Sequence, residues 1–90
     1  VTVAEKFAEN LLIQRRRARM SQEALGFTAD LHRTEIGQLE GGHRLPRIDT
    51  ALRLAGALNL EPAVLLAGMV WTPGQPASGR FVGRYAVDDG

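Results

Sequence analysis

Ninety residues supply one domain, near the lower limit for folding around a single core, and an apolar fraction of 44% is ordinary for a globular chain. The absence of cysteine excludes a disulfide framework, a thiolate metal site and a cysteine nucleophile and fits a reduced, cytoplasmic setting; no apolar run approaches a membrane span, and the mixed charge over residues 1–10 reads as neither anchor nor signal peptide. Net charge is only +1, but residues 14–53 hold eight arginines against five acids while the remainder holds three basic residues against five acids, so the middle of the chain is the electropositive part.

Residues 3–18 place Val3, Phe7, Leu11 and Ala18 on one helical stripe, with Leu12 and Ile13 as surplus apolar surface. Arg16, Arg17 and Arg19 suit the negative pole of that helix, although an arginine run alone more often marks a solvated face. Ser21 reads as the N-cap of a short second helix opened by Gln22, Glu23 and Ala24. Leu25 and Ala29 share its inner face, and Gly26 between them is small enough for another helix to cross closely. Asp30 suits a left-handed turn, and Leu31 buries it. A third helix, residues 32–40, turns Ile36 and Leu39 inward and Arg33, Thr34, Gly37 and Gln38 outward, and Gly41 and Gly42 end it. Pro46 keeps residues 43–47 a loop. The fourth helix, 48–58, presents Ile48, Leu52, Ala55 and Leu58 to the core and stops at Asn59. Pro62 opens a short fifth helix to Ala67, closed by Gly68. Residues 72–79 are turn-rich, and 80–87 alternate as a strand does, with Phe81, Tyr85 and Val87 on one face. The expectation is an all-α, five-helix domain over residues 1–70 and an irregular or β-like tail over 71–90.

Two short helices joined by a tight turn and followed by two more resemble the phage repressor and Cro-like (XRE) helix-turn-helix family. Residues 22–40 match its pattern without a gap: the small residue falls on Gly26 and the buried positions on Leu25, Ala29, Leu31, Ile36 and Leu39. The stretch 36–46, IGQLEGGHRLP, looks like the end of the family's recognition helix and its following loop, and 49–58, DTALRLAGAL, resembles its fourth helix. The likeness covers residues 7–68, about two thirds of the chain. Asp30, Arg19 and Asn59 stand where the family commonly has glycine, and Phe27 where it has an exposed polar residue. The resemblance implies a lambda-repressor-like fold and sequence-specific binding of double-stranded DNA as a transcriptional regulator, more often a repressor.

Helix geometry supplies the chemistry for that function, because an α-helix fits the major groove and its N-terminal side chains reach base edges. Arg33 can donate two bonds to guanine, Gln38 can pair bidentately with adenine, and Thr34 offers a hydroxyl and a methyl group. Gly37 leaves a bare surface for close approach, and His32 stands at the start of the same helix. For phosphate, the resemblance points to Gln22 at a helix N-terminus, with Arg15, His43 and Arg44 as further candidates. It also maps Arg15 onto a position that pairs with the acid at the end of the third helix, Glu40.

No enzyme, metal or cofactor signature accompanies these residues: His32 and His43 are the only histidines, and they read as groove contacts or as solvated side chains. RNA binding lacks the aromatic sheet or GXXG signals of RNA modules. The alternative is an antitoxin or other protein-interaction module on the same fold, its tail with Trp71, Phe81 and Tyr85 wrapping a protein partner. One short helix reads few bases, so a homodimer on a pseudo-palindromic operator is expected. Its interface is expected from Leu12, Ile13 and the tail, with residues 80–87 pairing antiparallel across the dimer because no other strand is visible.

Overall fold

The computed structural model describes residues 1–83. The element order is α1 (Val3–Arg17), α2 (Gln22–Ala29), α3 (Arg33–Glu40), α4 (Ile48–Ala57), a 3-10 helix (Pro62–Leu66), β1 (Met69–Trp71) and β2 (Gly79–Phe81). The expected helical domain is present, with one difference: the fifth helix is a tight 3-10 segment. Pro62 at its start and Gly68 just beyond its end leave a stretch too short for repeated α-helical bonding. Among the described residues no helix is long and apolar enough to cross a membrane.

Local side-chain chemistry starts the first three helices. The Thr2 hydroxyl accepts from the Glu5 N–H at 3.1 Å while the Glu5 carboxylate accepts from the Thr2 N–H at 2.9 Å, a reciprocal capping box that starts α1. Ser21 caps α2 as expected, its hydroxyl accepting from the Ala24 N–H at 2.9 Å. Three non-glycine residues take left-handed backbone at the ends of helices: Arg19 (φ 58°), Asp30 (φ 60°) and Asn59 (φ 59°). These are the positions where the resemblance called for glycine. Gly26 is where glycine is indispensable, since a Cβ there would sit 2.6 Å from the Leu31 carbonyl oxygen and 3.3 Å from the Arg33 nitrogen. Its bare backbone lets α2 lie directly against the turn and the first residue of α3.

The core is one cluster: Phe7, Leu11, Leu25, Ala29, Ile36, Leu39, Leu54, Ala55, Leu58 and Leu65. Four of the five positions expected to be buried around the turn are in it, and Leu31 is half-buried beside it. Two expectations are corrected. Ala18 is exposed, because α1 ends at Arg17 and the cap residue leaves the apolar stripe. In α4, Ile48 and Leu52 are 81% and 50% exposed, and the core face is Thr50, Leu54, Ala55 and Leu58. The apolar residues of that helix form one arc broader than the face it buries, so periodicity alone does not say which edge of the arc turns inward.

The core also holds polar side chains. The buried Asn10 amide donates to the carbonyls of Leu65 at 3.0 Å and Ala67 at 2.9 Å, tying α1 to the end of the 3-10 helix. Lys6, also buried, donates to Glu9 at 2.8 Å.

The tail is a hairpin. β1 and β2 pair antiparallel, with Met69 opposite Phe81 and Trp71 opposite Gly79. The expectation of a strand without a partner in its own chain is corrected for the described part of this segment: residues 80 and 81 pair with β1. The partner strand went unseen because Met69, Val70 and Trp71 continue the apolar run of the preceding helix. Tyr85 and Val87 lie outside the described residues. Trp71 meets Phe81 edge-on with ring centroids 5.9 Å apart, and its indole N–H donates to the Pro76 carbonyl at 3.1 Å. Gly68 (φ 81°) seats the hairpin on α1, as a Cβ there would lie 2.3 Å from the Val82 carbonyl oxygen and 2.6 Å from Lys6 Cε.

Candidate nucleic-acid interface

α3 is held by one face and free on the other. Ile36 and Leu39 are fully buried, which fixes the rotation of the helix about its axis. That rotation leaves Arg33, Thr34 and Gln38 exposed. His32 does not open the helix but caps it: Nδ1 accepts from the Thr34 N–H at 3.0 Å. A neutral imidazole that accepts through Nδ1 carries its proton on Nε2, so His32 has a donor left for an outside acceptor.

Gly37 is not bare. The Gln22 amide lies over it, with Oε1 at 3.7 Å from where a Cβ would stand. Gln22 thus bridges the start of α2 and the middle of α3, and its Nε2 donates to Glu40 at 3.0 Å. Glu40 in turn accepts twice from Arg15, from Nε at 2.6 Å and from Nη2 at 2.9 Å, while Arg15 Nη1 donates to the Met20 carbonyl at 2.8 Å. The Arg15–Glu40 pairing implied by the resemblance is present, and both side chains are largely shielded. The hydrogen bond to Glu40 raises the Arg15 pKa above its ordinary value, against the opposing effect of burial. Arg15 is therefore first a brace joining α1 to the end of α3, with two N–H groups still unused.

Past α3, Arg44 turns back along the helix, and its Nη1 donates to Gln38 Oε1 at 2.8 Å. His43 is exposed, its ring lying against Gly41. The structure therefore joins the expected residues into two linked sets, Gln22 with Gly37 and Gln38 with Arg44, and places His32, Arg33 and Thr34 at the head of α3. Sequence reasoning missed these couplings, because a side-chain bond across six or eighteen positions has no local signature. It also missed that Arg53 donates to the Asp30 carbonyl at 3.2 Å and braces the turn from α4.

Two short helices at a tight turn, with the second anchored from behind and polar in front, define a helix-turn-helix DNA-binding unit of the phage repressor and Cro-like (XRE) kind. Residues 11–65 match the helix-turn-helix family, and the chain belongs to it. It is 42% identical over 50 residues to the control protein C.BamHI of Bacillus amyloliquefaciens, a match spanning 56% of this chain and 62% of that protein. Among solved structures it is similar to the restriction-modification controller protein C.AhdI from Aeromonas hydrophila, with 37% identity, a TM-score of 0.67, and coverage of 69% of this chain and 94% of that one. The DNA-binding domain of the P22 C2 repressor is similar at 29% identity and a TM-score of 0.66, over 69% of this chain and 82% of that one.

Proposed function

We propose that the protein regulates transcription by binding a pseudo-palindromic DNA site as a homodimer, with α3 in the major groove. The observation that carries this reading is the division of α3: Ile36 and Leu39 immobilise it while Arg33, Thr34 and Gln38 are exposed at its front. A helix fixed in this way presents its side chains without a large ordering cost on binding. Arg33 reads guanine by a bidentate contact, Thr34 adds a hydroxyl and a methyl group, and His32 donates through Nε2. Gln22 at the start of α2, His43 and Arg44 meet phosphate and fix the register, with Arg15 contributing its unused N–H groups. Two of the similar proteins are controllers by name, one of them of a restriction-modification system, so the promoter of such an operon is the natural first DNA to try.

The dimer face belongs to α4 and the 3-10 helix rather than the tail. Leu45, Ile48, Leu52 and Leu66 are each at least half exposed on a chain of this size. They border a groove of about 310 Å³ that reaches down to Val3 and Met69. Ile48 projects beside this groove, and a projection and a recess on one patch are what a two-fold contact requires. At the rim Arg47 and Asp49 lie 3.3 Å apart, giving the patch both signs of charge for a symmetric mate. The antitoxin reading is the less favoured one, since Trp71 and Phe81 pack edge-on against each other within the hairpin, although Trp71 keeps 44% of its surface exposed.

Selection from random duplexes tests the assignment. The wild-type chain is expected to enrich a two-fold symmetric consensus, and Arg33→Ala to cost about 1–3 kcal/mol and relax one guanine in each half-site. An unchanged consensus with Arg33→Ala would remove Arg33 from the reading face.

A further inference from the structure

Gln38 carries an amide, and a free glutamine amide prefers adenine because it accepts from N6 while donating to N7. That preference assumes the oxygen is available. Here Oε1 receives an N–H from Arg44 at 2.8 Å, in a contact where both side chains are exposed. The amide cannot be turned round to release the oxygen and keep this bond, since a guanidinium only donates and its partner must be the oxygen. We infer that Gln38 and Arg44 act as one donor-only reading head that selects guanine, so that Arg44, a residue outside the recognition helix, sets which base that helix reads.

The inference rests on the DNA-binding reading above and deepens it. With Oε1 occupied, what Gln38 has left to offer a base is chiefly its NH2 group, with two N–H donors. Guanine meets that surface with two acceptors, O6 and N7. Adenine meets it with one acceptor and the N6 amino group, which is itself a donor and faces a guanidinium. The second lone pair of Oε1 does not rescue adenine, because reaching it brings N6 against the cation. Arg44 keeps four further N–H groups, so holding Gln38 and touching a phosphate are compatible.

Two consequences of removing Arg44 are separable. A lost phosphate contact weakens all duplexes alike and lowers the salt slope by about one. A released amide changes preference at a single position and leaves the others as they were. Selection from random duplexes at low salt with the wild-type chain, Gln38→Ala, Arg44→Ala and the double variant distinguishes them. Gln38→Ala identifies the position by flattening it. At that position the wild type is expected to favour guanine over adenine by about fivefold or more, and Arg44→Ala to reverse the order toward adenine. The double variant is expected to be as flat there as Gln38→Ala. Adenine already preferred by the wild type, guanine retained in Arg44→Ala, or no position flattened by Gln38→Ala would each overturn the inference while leaving the Arg33 contact standing. A wild-type chain that enriches no sequence at all would overturn the DNA-binding reading itself, and this inference with it.

Discussion

Arg19, Asp30 and Asn59 each hold a backbone conformation in which a Cβ crowds the carbonyl oxygen. Asparagine and aspartate tolerate it because their short polar side chains bond locally, whereas arginine has no such relief. Arg19→Gly is therefore expected to raise stability by about 0.5–1 kcal/mol, net of the extra freedom glycine gives the unfolded chain. Asn59→Gly is expected to gain less, and urea denaturation of the two variants side by side measures the difference. Glu40 is the opposite case, a residue whose removal strands its neighbours. It accepts from both Arg15 and Gln22, so Glu40→Ala leaves a shielded guanidinium with only the Met20 carbonyl, at an expected cost of about 2–3 kcal/mol. The pH dependence follows from the raised Arg15 pKa. A group whose folded pKa is raised contributes stability that is complete below its unfolded value and is lost only as pH climbs through the folded one. The loss in Glu40→Ala is thus expected to be the same at about pH 7 and about pH 10, which denaturation at both values checks.

At the scale of elements, two glycines with the same sequence appearance have opposite expected responses. Gly26→Ala forces a Cβ to 2.6 Å from the Leu31 carbonyl oxygen, a backbone atom that cannot swing aside, and is expected to cost about 1–3 kcal/mol. Gly37→Ala meets only the Gln22 amide at ordinary contact distance and recovers up to about 1 kcal/mol of helix propensity. If α3 approaches base edges closely, that more stable variant binds DNA more weakly, and thermal melting together with a binding titration reads both effects. The turn, its buried positions and the outward set on α3 were legible in the sequence because each depends on spacing within a few residues. The inward face of α4 was not, since Ile48 and Leu52 make as good a stripe as Leu54 and Leu58 until the other helices are in place. Nor was β1, which continues an apolar run, or Asn10, whose two partners lie more than fifty positions away. Of the candidate site, the residues at the head of α3 were legible from the sequence; the bonds that hold Gln22 and Gln38 in place were not.

For the whole molecule, the arrangement of α3 and the α4 groove makes a joint demand. The groove begins at Leu45 and Ile48, in and just after the loop that follows α3, so a two-fold axis through it sets two recognition helices on either side of the same axis. Ile48, 81% exposed, contributes little to the monomer's core, and Ile48→Asp is expected to leave circular dichroism unchanged while sedimentation shows a monomer. The most direct measurement is a hydroxyl-radical footprint of the wild-type chain and Ile48→Asp on a duplex the wild type selects. Two protected half-sites centred about 34–36 Å, or about 10–10.5 base pairs, apart are predicted for the wild type, and loss of both at the same concentration for Ile48→Asp. A single protected patch, or a footprint that Ile48→Asp leaves intact, would contradict a dimer that reads DNA through paired α3 helices.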